Sequence, residues 1–251
     1  MLRVFCVGNF MAIELKKTES WAKAINAIST FISEGNFRFN DLGVSFKAID
    51  PSQIVLVEYS IAKSSFDKYS IEPTYVGVDL VELNKIMSRI LLHDKMTLDL
   101  TENEMSIHFQ GDLSRSFRLP LIDVSEQEIN VPSTKFDATI QIKARMFKES
   151  LKDAALFGSS VVLRAKGNQF MIEARGSSGT LKTVAKETKN IVVKTNSEVV
   201  SKYSLNFLTN IVKEAEPESM ISLELKGDAP MKVSYSIGDS KLQFHLAHMI
   251  L

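Results

Sequence analysis

The side chains that metal or nucleophilic chemistry would need first are four histidines, His93, His108, His245 and His248, and a single cysteine, Cys6. No histidine stands at metal-ligand spacing from an acid on a predicted helix. His245 and His248 are three apart, but at a predicted strand end they would point different ways. Gly176-Ser177-Ser178-Gly179 lacks the lysine and the following helix of a phosphate-binding loop. Ser177 is not in a nucleophile elbow. One cysteine gives neither an intrachain disulfide nor a cysteine-based zinc site, and a reducing interior is the default. The carboxylates are scattered. The chain therefore reads as a non-enzyme with no metal or cofactor.

Basic residues at helical spacing are the stronger signal. The 251 residues carry 30 basic and 30 acidic side chains. A protein that holds nucleic acid by bulk charge would be basic, so contact with DNA requires positive charge segregated onto one surface. On helical wheels, Lys85 and Arg89 lie one turn apart, opposite Leu83, Ile86, Met87 and Ile90. Arg145, Lys148 and Lys152 form a stripe clear of Phe147, Leu151 and Ala154, with Glu149 and Asp153 beside it. Lys213 shares a face with Asn206 and Asn210, and Lys23 with Ser20, Ala27 and Thr30. A solvated helix carries lysines as a matter of course. Four helices with the same sign on the same relative face favour a shared anionic partner. Phosphate contacts carry no sequence information and weaken with salt, which suits a protein that moves along DNA.

A third signal is apolar. Asp41 to Ile61 reads as two strands around the turn Asp50-Pro51-Ser52-Gln53. Ile49 and Ile54 flank that polar turn. Burial at the sheet end is one reading; an exposed pocket for a partner is the other.

These residues sit on a chain that is 45% hydrophobic, enough for a substantial core. Met11 to Lys16 reads as a strand, Thr18 to Ser33 as a helix, and Ser64 to Tyr69 as a helical turn. Further helices are predicted around Leu80 to Ile90, Phe147 to Ala154 and Leu205 to Val212, with strands between them. Leu119 to Thr134, with two prolines and three acids, reads as a linker. After it the pattern starts over. An offset of 126 carries Ile25 to Leu151, Val44 to Phe170 and Phe46 to Ile172. An offset of 125 carries Leu80, Leu83 and Ile86 to Leu205, Leu208 and Ile211, and Met96, Leu98 and Leu100 to Ile221, Leu223 and Leu225. The fold class is α+β: two similar domains, 11–118 and 135–251, each with two helices on antiparallel sheet, joined by a connector at 119–134. The turn at Asp50 has only Gly176-Ser177-Ser178-Gly179 as its counterpart and is specific to the first domain. The apolar start of the chain is too short to span a bilayer and has one basic residue and no clear cleavage site. A soluble, cytoplasmic protein is expected, with the first ten residues left open.

GVSFKAIDPSQIVLVEY (43–59), GVDLVELNKIM (77–87), NVPSTKF (130–136) and DAPMKVSYSIGDSKLQFHLA (228–247) resemble the DNA sliding clamps of the proliferating cell nuclear antigen type, the archaeal ones most closely. The resemblance covers about Met11 to Ala247. It implies three subunits closed head to tail into a ring, with helices lining the hole and sheets outside. It implies a processivity factor that tethers DNA polymerase, flap endonuclease and DNA ligase, and that a clamp loader opens with ATP. Carried over, the hole-lining basic positions are Lys23, Lys85, Arg89, Lys148, Lys152 and Lys213. The pocket for the partners' short peptide motif would use Ile49, Gln53, Ile54, Ile129, Val131, Pro132, Pro230, Leu246 and Ala247. An aromatic-anchored peptide suits such a pocket.

Two departures matter. After Leu246-Ala247 the family usually continues with proline and a basic residue, then an acidic tail, whereas here His248-Met249-Ile250-Leu251 follows. The first helix has only Lys23 where the family often has more basic residues. Some archaeal clamps are heterotrimers of divergent subunits, and a thin basic face is compatible with that; homotrimer and heterotrimer stay open. The alternative function is an interaction scaffold that does not encircle DNA.

Overall fold

A computed structural model describes residues 11–15, 17–125, 129 and 134–250. Its first half contains β1 (Met11–Leu15), α1 (Thr18–Ser29), β2 (Glu34–Asn40), β3 (Gly43–Ile49), β4 (Val55–Ala62), β5 (Phe66–Ser70), β6 (Thr74–Asp79), α2 (Leu80–Met87), β7 (Lys95–Leu100), β8 (Glu104–Gln110) and β9 (Ser114–Pro120). The second half contains β10 (Ala138–Lys143), α3 (Ala144–Ala155), β11 (Ser160–Lys166), β12 (Gln169–Gly176), β13 (Gly179–Lys186), β14 (Ile191–Thr195), β15 (Val199–Ser204), α4 (Leu205–Val212), β16 (Met220–Leu225), β17 (Met231–Ile237) and β18 (Ser240–Leu246).

The duplication expected from the sequence is present in the topology. The first half forms a sheet in the order β5-β1-β7-β8-β9, and the second repeats it as β14-β10-β16-β17-β18. The remaining strands form β6-β2-β3-β4 and, in the same order, β15-β11-β12-β13. The copies join where β18 pairs antiparallel with β4, fusing two of these sheets into one of nine strands.

Alternation positions the core. In β7, Met96, Leu98 and Leu100 are buried, and Ile107 and Phe109 of β8 meet them from the next strand. On α3, Phe147, Leu151 and Ala154 are buried at helical spacing. Asp79 caps α2, its side chain accepting from the Glu82 amide at 2.9 Å. Trp21 of α1 stacks on Phe37 and meets Tyr59 edge-on, with ring centres 6.2 and 5.9 Å away. Across the junction, Phe31 stacks on Phe207 of α4 at 6.2 Å and meets Phe244 edge-on.

Some local expectations change. The first helix stops at Ser29, although Ile32 beyond it is still buried. Ser64 to Tyr69 is not a helical turn: a 3₁₀ turn at Lys63–Ser65 gives way to β5, which pairs with β1. Tyr69 there donates to the carbonyls of Asn40 and Gly43, and tertiary pairing outweighs the local preference. Strand β15 has no expected counterpart in the sequence reading. No helix among the described residues is long and apolar enough to cross a membrane.

Candidate DNA-facing helices and peptide groove

The helices lie in pairs, α1 beside α2 and α3 beside α4. Their buried faces meet the sheets, and the candidate basic residues lie away from them. Most of these cations are already engaged. Lys23 lies 2.8 Å from Glu19, Lys85 2.6 Å from Glu82 and Lys152 2.7 Å from Glu149, each about one turn away on its own helix. Arg145 lies 2.9 Å from Glu218. The hydrogen bond from Lys23 holds the Glu19 carboxyl below its ordinary range, and the same bond raises Lys23. Glu82 raises Lys85 in the same way. Arg89 and Lys213 are exposed and make no ion pair with another described residue.

Lys148 corrects the outward stripe. Its Nζ donates to the carbonyls of Lys213 and Ala215, at 2.8 and 2.6 Å. It therefore closes the C-terminal end of α4, whose last carbonyls lack helical partners. Burial lowers its pKa. Ala27, placed with Lys23 on the outward face, is buried instead. Two amides that sequence spacing does not mark link the copies. Asn84 of α2 donates to Asn26 of α1 at 3.1 Å, and Asn26 donates to Glu214 beyond α4 at 2.8 Å.

The turn at Asp50 is built by that residue. Its carboxylate is buried and accepts from the amides of Ile54 and Val55, at 2.7 and 2.5 Å, and from the Ser52 amide and hydroxyl. Gln53 takes a left-handed φ of 58° at the tip. Ile49 and Ile54 are both half-buried. Ile49, Gln53 and Ile129 line a groove of about 1070 Å³ between the nine-stranded sheet and the connector. Ile54, Ala247 and Pro230 gather beside it at the strand ends. The Ala247 amide donates to the Ile54 carbonyl at 2.9 Å. Pro230 precedes Met231, the cross-strand partner of Leu246. Leu246 itself is fully buried and does not line the groove, because alternation puts it on the core face with Leu242 and Phe244. Val131 and Pro132 lie outside the described residues.

The connector is tied down by residues the sequence reading did not single out. The Ile122 amide donates to Gly77 at 3.0 Å, and a Cβ on Gly77 would lie 2.1 Å from the Ile122 oxygen. Asn36 donates to the Val124 carbonyl at 2.9 Å, and Lys47 to that of Ile129 at 2.7 Å. Only the strict need for glycine at 77 leaves a local trace, within the GVDL motif. Beyond Ala247, Met249 donates to the Lys202 carbonyl at 2.8 Å and lays the chain end along β15.

One row of side chains does have the types of a catalytic triad. His108 contacts Ser116 at 2.9 Å through Nδ1 and Asp99 at 3.2 Å through Nε2. His108 and Asp99 are 42% and 29% exposed on the sheet. Water reaches both, so the site lacks the excluded environment that makes fixed dipoles effective. The row is cross-strand pairing on a polar sheet face.

Residues 10–131 match the profile of the proliferating cell nuclear antigen N-terminal domain, and residues 130–250 that of its C-terminal domain. The chain belongs to the proliferating cell nuclear antigen family. It is 31% identical over 240 residues to a DNA polymerase sliding clamp of Pyrococcus furiosus, covering 94% of this chain and 96% of that one. It is 32% identical over 241 residues to one of Methanococcus maripaludis, covering 93% and 96%. The proliferating cell nuclear antigen of Thermococcus kodakaraensis superposes with a TM-score of 0.91 at 25% identity, over 95% of this chain and all of that one. The Entamoeba histolytica structure shares the fold, with a TM-score of 0.88 at 20% identity over 96% and 99%. The function that goes with this family is that of a sliding clamp processivity factor, not an enzyme.

Proposed function

We propose that the chain is one of three subunits that close head to tail around duplex DNA, with the helices toward the DNA. The observation that carries this reading is the internal β4–β18 junction. In the duplication, β13 corresponds to β4 and β9 to β18, and among the described residues both β13 and β9 are unpaired sheet edges. The contact that joins the copies within the chain is therefore available again between chains. Repeated with the same hand, it is a heterologous contact that closes a ring.

The register carries over. Val57 pairs with Ala48, and Leu181 with Ala174; Phe244 pairs with Val233, and Phe117 with Ile107. Phe244 lies opposite Val57 inside the chain, so Phe117 should lie opposite Leu181 of the next subunit. A groove of about 690 Å³ flanks β13, lined by Ile142, Met146, Ile172 and Ile191. It stands where the following subunit's β8 and β9 would pack, as β17 and β18 pack on α1 inside the chain.

In this reading DNA is held by topology, and partners bind the groove beside the connector through a short peptide with apolar anchors. Polymerase, flap endonuclease and ligase are the proposed partners, a clamp loader opens the ring, and the setting is the cell interior. Retention on nicked circular DNA tests it. The expected result is retention through moderate salt on circles and loss on linearising. Equal loss from both would leave a scaffold that does not encircle DNA.

A further inference from the structure

Four of the seven cations on the proposed DNA face are held by carboxylates at 2.6 to 2.9 Å. A fifth, Lys148, is spent on the carbonyls of Lys213 and Ala215 just beyond α4. Only Arg89 and Lys213 stand free of ion pairs with described residues. The pairing acids Glu19, Glu82, Glu149 and Glu218 have side chains 72%, 51%, 66% and 71% exposed, so they serve no core and close no turn. Three of them repeat one device, an acid about a turn away from the lysine on the same helix. Glu214 and Glu216 add negative potential at Lys23.

An exposed ion pair breaks readily, but breaking it does not remove the acid. With a screening length of about 8 Å at physiological salt, an approaching phosphate meets each pair as a dipole rather than a free cation. Displacing the carboxylate leaves it facing the phosphate. The hold on DNA then comes mainly from two bare cations per subunit rather than seven.

We infer that Glu19, Glu82, Glu149 and Glu218 are grip-limiting residues, which keep the helix face near neutrality and hold a DNA duplex loosely enough to slide. This rests on the proposed placement of the helices toward DNA. It adds a role for acidic residues that a reading of the basic stripe passes over.

The test is a salt titration of full-length protein with a fluorescently labelled linear duplex, for three forms. These are the unaltered chain, the variant with Glu19→Gln, Glu82→Gln, Glu149→Gln and Glu218→Gln, and the variant with Arg89→Glu and Lys213→Glu. Thermal melting checks that each is folded. The glutamine variant should bind at least about tenfold more tightly at low salt. Its log-affinity against log-salt slope should steepen by about 3.6 per subunit, near 0.9 for each of the four cations released to a phosphate. Single reversions should each restore part of the change. If the glutamine variant matches the unaltered chain while Arg89→Glu with Lys213→Glu weakens binding, the inference fails and the helix placement stands. If neither variant moves binding, both fail.

Discussion

The same pair of strand edges occurs twice in this chain, once closed and once open. Where β4 meets β18, Val55, Val57, Tyr59 and Ile61 are buried against Leu242, Phe244 and Leu246. Where β13 and β9 stand open, Leu181, Thr183 and Ala185 are only half-buried and Phe117 is partly covered. Between them the open edges carry Lys182, Lys186, Arg115 and Arg118. Charged side chains along an unpaired edge discourage indiscriminate strand addition. The core-facing alternation is nevertheless kept on both open strands. A strand designed only to face water would not need it, and the difference marks β9 and β13 as interfaces rather than finished surfaces.

Equivalent positions in the two junctions should therefore fail in different ways, and the largest effect belongs to the closed one. Phe244 is fully buried, and Phe244→Ala should cost about 3 to 5 kcal/mol of folding stability, measured by denaturant titration. Phe117, its counterpart on β9, is already partly exposed beside Phe109. Phe117→Ala should cost clearly less folding stability but weaken assembly by at least about tenfold in sedimentation, as truncating an interface anchor does. Equal losses of stability with unchanged assembly would break the comparison.

The copies also differ at the turn that follows β3 in one and β12 in the other. The first is held open by buried Asp50. The second closes tightly on Gly176, where a Cβ would lie 1.6 Å from the Phe157 carbonyl oxygen. Ile54→Asp should weaken a partner peptide by more than about tenfold, read by titration calorimetry, with melting and assembly unchanged. Ser178→Asp, in the equivalent turn, should leave the peptide affinity as it was. Unchanged affinity for Ile54→Asp would remove the groove from the proposed site.

How much of this was legible beforehand follows from what sets each feature. The duplication shows in the sequence because apolar residues on matching strands and helices must occupy matching core positions, as Leu98 and Leu223 do. The basic stripe shows because helical spacing is regular. What spacing could not give is the partner of each cation. Lys148 has the same place on a wheel as a solvent-facing lysine, and only the approach of α4 supplies the two carbonyls. Leu246 failed for the opposite reason: a motif match names a position but not its face, and strand alternation turns it inward. The anchors Lys47 and Asn36 bond to connector carbonyls, which have no side-chain signature.

The helix pairs give a smaller contrast. In the first copy α1 and α2 are linked by neutral amides, in the second α3 and α4 by Lys148. Lys148→Met should lower folding stability by about 1 kcal/mol, since it leaves two carbonyls short of a donor. Its effect on DNA retention should be smaller than that of Lys213→Met. The reverse ranking would return Lys148 to the DNA-facing set.

The smallest effect is a pH dependence confined to the closed junction. His245 of β18 contacts Glu58 of β4 at 3.1 Å, with Lys47 and Lys232 nearby. The hydrogen bond from His245 is the main cause that holds the Glu58 carboxyl below its ordinary value of 4.5. A carboxyl lowered on folding contributes stability that is fully present above its unfolded value and is lost as the pH falls through the folded one. The Glu58→Gln variant should therefore be less stable than the unaltered chain at neutral pH, by about 1 kcal/mol for a pair that is part-buried and still partly screened by water. That gap should close below the ordinary glutamate range. In the open junction Lys182 takes the place of Glu58, since it lies opposite Glu173 as Glu58 lies opposite Lys47. Lys182→Gln should then leave the acid limb of stability unchanged. An identical change in acid stability from both substitutions would show that the two edges respond to net charge alone, and that the Glu58–His245 contact adds nothing to the closed one.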